Sequence, residues 1–579
     1  MTNTRSEHLS FWELMAVFLR LLKPYWINRH NYAGWILLSV IGIITAAGVW
    51  ILTRLNSWYN DFYNSMVNLD KAEFQKQLIA FMIILVALVL INSCNAFFKS
   101  CLIIHWRRFM TGDFIRQWMK NDSFYKTRFT PHPSDNPDQR IAEDLREFVS
   151  LTQSLVIGTI TSGATFFTFL VVLWNLSSAC DFSIGSYTLH LPDGYLVYLA
   201  FIYAIFGTLI AFWIGHPLVK LNFAQQRCEA DYRFALIRVR NNSESIAMYD
   251  GQKQEEEVLE NFFLILVSNF KRLITKELWL RIYTLSYNQT AVIFPFLIAS
   301  PLYFSGAINI GTLMQISTAF DHVKESLSTI IDNFNQWVRW KSVVDRLGSF
   351  QKNLREASEI NCLTPQHNTE YLVLSSLEVA SPEERILMLN GNLDLKKHVH
   401  LLIKGPSGCG KSTLLRAVSG LWPYARGIVS YPAKDGVLFM TQKPYLPIGT
   451  LRQAIAYPLQ SAPNLDRILE RVGLSHLSSK LDDTENWEQI LSLGEQQRIA
   501  FARAFIVQPK MLFLDEATSA LDEDIEKHLY EQLTTALKEA TIISIGHRST
   551  LDQFHDYIFE CGGDNNWVLK FIKRVPMSL

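Results

Sequence analysis

No charged side chain falls between Ala33 and Leu52, and that gap sets the class of the chain. About 20 such residues wound as a helix cross the ~30 Å hydrocarbon core of a bilayer. Charge is scarce elsewhere too: Asp, Glu, Lys and Arg make up 19% of 579 residues, against 49% hydrophobic, and the formal net charge is +0. A zero balance argues against a nucleic-acid-binding surface, and so little charge among so many apolar residues excludes a disordered chain. The seven cysteines, at 94, 101, 180, 228, 362, 409 and 561, include no CxxC pair. Zinc ribbons and disulfide frameworks are thereby excluded. A cleavable leader is also missing: the first residues are polar, and Phe11 to Leu22 reads as an amphipathic helix ending at Pro24, an interfacial elbow.

Further apolar runs are Leu78–Ile104, broken only by Lys99, then Leu151–Trp174, Tyr195–Ile214 and Tyr283–Phe304. A sixth span is expected over Gly311–Ile331, but it carries Gln315, Asp321, His322, Lys324 and Glu325. Ionisable groups inside a span face a bundle interior or a water-filled cavity, which points to a cargo pathway. The alternative is that Asp321 to Glu325 lies beyond the bilayer on a helix continuing into solvent. The stretches 105–150 and 216–282 are rich in Lys and Arg, whereas 175–194 and 305–311 contain neither. By the positive-inside rule both long basic loops, both termini and the soluble half are cytoplasmic.

The soluble half carries the chemistry. Gly405-Pro406-Ser407-Gly408-Cys409-Gly410-Lys411-Ser412-Thr413 follows the apolar run Val399–Lys404 and precedes a helical pattern. Its glycines let backbone N–H groups converge on phosphates, Lys411 reaches the outer phosphates, and the Ser412 hydroxyl suits magnesium. A buried strand, Lys510 to Glu516, ends in two carboxylates: Asp515 can hold the magnesium shell and Glu516 can polarise water. Cys409, inside the loop, offers a thiol reagents can reach. These elements predict a site for a nucleoside triphosphate with Mg2+.

Leu491-Ser492-Leu493-Gly494-Glu495-Gln496-Gln497-Arg498, just before that strand, resembles the signature of ABC-type ATPases, with Leu493 and Glu495 departing from the usual glycine and glutamine. The resemblance implies that Ser492, Gly494 and Glu495 face the γ-phosphate held by a second subunit. It also implies a Q-loop at Gln442 that touches magnesium, a D-loop at Ser519–Asp522 and a γ-phosphate-sensing His547, and makes ATP the nucleotide. No aromatic suited to stack on adenine is visible in 380–386, and Tyr371 is a weak substitute.

The other half is similar to the SbmA/BacA-type membrane domain through His105–Thr111, Asn136–Ile141 with Glu143-Asp144, Glu229–Leu236, Gly311–Gln315 and Ser342–Leu347. Gly420–Pro423 and Pro444–Arg452 are similar to the same branch and to the peroxisomal fatty acyl-CoA half-transporters. The expected fold is an α-helical transmembrane bundle of six spans fused to an α/β P-loop ATPase domain. The expected boundaries are an elbow over 1–32, the transmembrane domain over 33–350, a linker over 351–370 and the nucleotide-binding domain over 371–579. One membrane half and one cassette imply a homodimer. The resemblance implies ATP-driven movement of a peptide-like or hydrophilic cargo, such as peptide antibiotics or cobalamin, across a bacterial inner membrane. The alternatives are acyl-CoA transport in a peroxisomal membrane, or an ATPase-gated sensor acting on a partner protein. The Asn136–Asp144 turn is expected to dock on the cassette.

Overall fold

The computed structural model describes residues 10–28, 31–131, 136–177, 180–184, 187–433, 436–562 and 567–572. The chain divides into two compact units: Met1–Lys120 with Ser134–Lys352, and Asn121–Pro133 with Asn353–Leu579.

The first unit is helical. Helix α1 (Phe11–Trp26) starts in a capping box, Ser10 with Glu13, as its sequence dictates. Its end is held by Tyr25, which stacks on Trp106 at 5.4 Å and bonds His105 Nδ1 through its hydroxyl at 2.9 Å. The long helices follow as α2 (Tyr32–Val67), α3 (Lys71–Met119), α4 (Leu145–Asn175), α5 (Tyr195–Asn241), α6 (Gln252–Phe304), α7 (Ile310–Asp332) and α8 (Phe334–Glu359). A short antiparallel pair, β1 (Cys180–Ile184) and β2 (Tyr187–Leu191), separates α4 from α5.

Among the described residues four helical stretches are long and apolar enough to cross a membrane: Tyr32–Val67, Lys71–Phe129, Pro137–Asn175 and Tyr195–Asn241. The fifth and sixth expected spans form helices, but more polar ones. In α6 the apolar stretch is diluted by Asn288, Gln289, Pro295 and Pro301. In α7 the apolar residues sit at helical spacing, Ile316, Ala319, Phe320 and Val323, all fully buried. Around them α7 packs against α2, α4, α5 and α6. Asn56 of α2 donates to Gln315 O at 2.9 Å and to Thr318. Lys324 pairs with Asp321 at 3.2 Å.

In the same unit Asp144 lies buried between Arg346 of α8 and Arg140, at 2.6 and 2.8 Å. The segment expected to dock on the cassette thus has its buried acid tied to α8.

The second unit is α/β. Strands β3 (Val373–Ala380), β4 (Ile386–Asp394) and β6 (Ala425–Ser430) form an antiparallel sheet in the order β4-β3-β6. The main sheet contains β5 (Leu401–Lys404), β7 (Val437–Met440), β8 (Met511–Asp515), β9 (Thr541–Ile545), β10 (Tyr557–Cys561) and β11 (Trp567–Phe571), in the order β11-β10-β5-β9-β8-β7. All its pairings are parallel except β10 with β11. All five residues of β9 are buried, the pattern of a central parallel strand covered on both faces. Each fully buried Leu or Ile in such a strand contributes about 1.5–3 kcal/mol. The helices that matter for the site are α9 (Lys411–Val418), α10 (Leu451–Ala456), α11 (Leu493–Val507) and α12 (Glu523–Ala536).

Asn121–Pro133, which continues from α3, belongs to this second unit. Phe129 packs edge-on against Trp422 at 5.3 Å and Tyr424 at 6.0 Å, and Lys126 donates to Ile360 O at 3.3 Å. The stretch embedded in the cassette therefore precedes the expected Asn136–Asp144 turn, and aromatic packing holds it there.

Candidate ATPase site

Parallel strands carry their functional residues at their C-terminal ends, where the helices begin. Strand β5 ends at Lys404, and Gly405–Gly410 turns the chain into α9. Gly408 and Gly410 adopt φ of 80° and 103°, a left-handed conformation open to glycine, and Gly410 is the N-cap of α9 with no side-chain cap. Lys411 Nζ donates to Gly405 O at 2.9 Å and Pro406 O at 3.1 Å. Its ammonium is thus held over the loop.

Ser412 Oγ donates to Asp515 Oδ1 at 3.0 Å, joining α9 to the end of β8. Burial pushes the Asp515 carboxyl up, offset by the Ser412 bond, with the neighbouring Glu516 charge raising it further. A hydroxyl and an electrostatically strained carboxylate side by side are hard oxygen donors that fit a magnesium ion. Among the described residues no cluster of three or more His, Cys, Asp or Glu could hold a metal.

Glu516 sits at φ 46°, a left-handed conformation that costs a non-glycine residue about 1–3 kcal/mol, and its N–H donates to Ile545 O at 3.1 Å. Gln442 Nε2 donates to Glu516 Oε2 at 3.0 Å, and His547 Nε2 lies 3.6 Å from Glu516 Oε1. The strand ends of β7, β8 and β9 thereby bring together the Gln, Glu and His that the sequence spaces 74 and 31 positions apart.

The signature residues form a separate group at the start of α11. Ser492 caps the helix, and Glu495 Oε2 accepts from both the Ser492 N–H and Oγ at 2.9 Å. His476 approaches the other oxygen at 3.1 Å. Burial raises the Glu495 carboxyl, but the Ser492 bonds and His476 outweigh it and hold the group below its ordinary value. A Cβ on Gly494 would lie 3.1 Å from Ala520 O, so glycine there lets the D-loop approach. No hydrogen bond among the described residues links Ser492 to Lys411, Ser412 or Asp515.

One residue escaped the sequence reading. Gln497, fully buried, donates to Gln442 O at 3.0 Å and Ser519 Oγ at 3.1 Å, and accepts from Ala520 N at 3.0 Å. It fastens the signature helix to the Q-loop and D-loop together. Its only sequence signal was its place in the quoted motif. The stretch 380–386 offers no aromatic ring, but Trp422 Nε1 donates to Ala380 O at 2.8 Å. Tyr371 stays half-buried ahead of β3.

Comparison with known proteins agrees with this geometry. Residues 21–304 match the family described as ABC transporter transmembrane region 2, and residues 388–519 match the family described as ABC transporter. An uncharacterized ABC transporter ATP-binding protein of Haemophilus influenzae is 35% identical over 87% of this chain and 85% of its own. The chain belongs to the ABC transporters. The inner membrane ABC transporter ATP-binding protein YddA of Escherichia coli is 32% identical over 92% of this chain and 95% of its own. The human lysosomal cobalamin transporter ABCD4 is 27% identical, covering 98% of this chain and 97% of its own. In fold, a bacterial Atm1-family ABC exporter with ATP bound is similar at a TM-score of 0.68 and 15% identity, covering 92% of this chain and 94% of that one. This ABC half-transporter couples ATP hydrolysis to movement across a membrane.

Proposed function

We propose that two copies of the chain assemble in a bacterial inner membrane and move a hydrophilic, cobalamin-like or peptide-like cargo. Each ATP then lies between Lys411, Ser412 and Asp515 of one copy and Ser492, Gly494 and Glu495 of the other. Half of such a site on one helix end and half on another, with no hydrogen bond joining them among the described residues, is what supports the dimer. Backbone N–H groups from Gly408 to Thr413 and the Lys411 ammonium bind the phosphates. Ser412, Asp515 and Gln442 would hold a magnesium ion, which would supply positive charge to offset that on the phosphates. Glu516, oriented by Gln442, takes a proton from the attacking water, and His547 steadies the γ-phosphate. The observation that carries the cargo reading is α7: it is central in its unit and bears the Asp321–Lys324 pair. An acyl-CoA carrier needs a basic cluster for its nucleotide head, and Lys324 is the only Lys or Arg in α7. The name of the human relative supports cobalamin in particular.

The test is the ATPase rate in lipid discs against peptides, cobalamin and acyl-CoAs. Stimulation by cobalamin or a peptide, lost in Asp321→Ala, is expected. Stimulation by acyl-CoA alone would overturn the cargo reading, and stimulation only by an added protein would favour a gated sensor.

A further inference from the structure

The Lys411 loop contains a cysteine, and the strand beside it contains another. Register pairs Glu560 of β10 with Lys404 of β5, so the next residues, Cys561 and Gly405, lie side by side. A Cβ built on Gly405 would stand 2.8 Å from Cys409 Sγ and 2.8 Å from Cys561 Cβ. The two cysteine side chains therefore share the space that glycine leaves empty, within twice that distance of each other. Cys561 is buried, and its thiol donates to Gly562 O at 3.6 Å, while Cys409 is partly open to solvent. Both are free thiols.

We propose that Cys409 and Cys561 are a redox modification site: a disulfide between them arrests the phosphate loop and stops ATP hydrolysis. The oxidant is a small-molecule disulfide of the glutathione class. The accessible Cys409 thiolate attacks one sulfur of that molecule, the S–S bond breaks, and one thiolate leaves. Cys561, having lost its proton to solvent, attacks the Cys409 sulfur; the second small thiolate leaves and the Cys409–Cys561 bond forms. Two electrons pass to the reagent, and the two protons end on its two thiols.

The buried partner governs the second step. Burial, with Cys409 beside it, pushes the Cys561 thiol up to about 11, so closure quickens as pH rises from 7 to 9. A disulfide fixes its Cβ atoms about 3.5–4.5 Å apart and draws the Cys409 backbone toward β10. The neighbouring Gly408, Gly410 and Lys411 N–H groups then lose their convergence, and a misplacement of about 1 Å at a reacting centre costs on the order of 100-fold in rate. In a reducing cytosol the pair stays open, so an oxidative pulse turns the cassette off and a return of thiol reductant restores it.

The test uses the full-length protein in lipid discs with Cys94, Cys101, Cys180, Cys228 and Cys362 replaced by alanine. Oxidised glutathione should lower ATPase activity by about tenfold or more. Dithiothreitol should restore it, and a non-reducing peptide map should contain the 409–561 linked peptide. Cys561→Ser should hydrolyse ATP at the untreated rate and form no 409–561 linked peptide; with no second thiol to displace it, glutathione stays on Cys409 and its mass is found on that peptide. Cys561→Ala serves if the serine variant does not fold. In the inhibited parent, glutathione on Cys409 in place of the linked peptide, or a linked peptide with unchanged activity, would each overturn the proposal.

Discussion

Two helix N-termini in the cassette solve the same electrostatic problem in different ways. Each begins with unpaired N–H groups and a partial positive charge. At α9 the cap is Gly410, with no side chain to fill the site, so the N–H groups stay available to an anion from outside. At α11 the cap is Ser492, and the chain supplies its own anion, the Glu495 carboxylate, which takes both the Ser492 N–H and hydroxyl. The first end is built to hold a phosphate, the second to stay quiet until one arrives and competes for the same hydroxyl. That difference fits the two-copy arrangement proposed above.

Substitutions can break the comparison, beginning at the open end. Lys411→Ala removes the ammonium held by Gly405 O and Pro406 O, and nucleotide binding should fall by about ten- to a hundredfold, the roughly 1.5–3 kcal/mol of a charge-assisted hydrogen bond. A fluorescent ATP analogue titrated against the variant measures it. At the capped end Gly494→Ala should spare binding but lower turnover by about tenfold, because its Cβ meets Ala520 O at 3.1 Å and pushes the D-loop away. If binding falls with turnover, the two ends are not separable.

A smaller effect is expected from Ser492→Ala, which loses the cap at a cost of about 0.5–2 kcal/mol and should lower the cassette's melting temperature by a few degrees. Smallest is the pH dependence of Glu495. Its folded value lies below its ordinary 4.5, so its contribution is fully present above that value and is lost as pH falls through the lowered one. Thermal unfolding followed from pH 6 to pH 3 should lose part of its acid sensitivity in Glu495→Gln; an identical acid limb would remove the carboxylate from the capping account.

What could be read beforehand follows from how local the chemistry is. Gly405–Thr413 announces itself because phosphate binding needs glycines, a lysine and a hydroxyl in one turn, and Asp515-Glu516 because a buried apolar strand has few reasons to end in two acids. Gln497 gave no such notice: its three bonds go to residues 55, 22 and 23 positions away, and only the fold assembles them. The same limit applies in the membrane half. Charge-free runs mark α2, α3, α4 and α5, whereas α7 draws its burial from four neighbouring helices and therefore tolerates Asp321 and Lys324. Phe129, which packs on Trp422 and Tyr424, gave no local signal either, since a single aromatic in a loop is inconspicuous beside a polar Asn-Pro motif. Asp144, the buried acid of that motif, pairs with Arg346 and Arg140.

Glu516, with its strained backbone and its Gln442 and His547 neighbours, is the residue on which the proposed mechanism rests most directly. The deciding measurement is ATP turnover and bound nucleotide per chain for Glu516→Gln beside the parent protein in lipid discs. Nucleotide retained at the parent stoichiometry with turnover reduced about 100-fold or more is the predicted result. Turnover near the parent rate would contradict it.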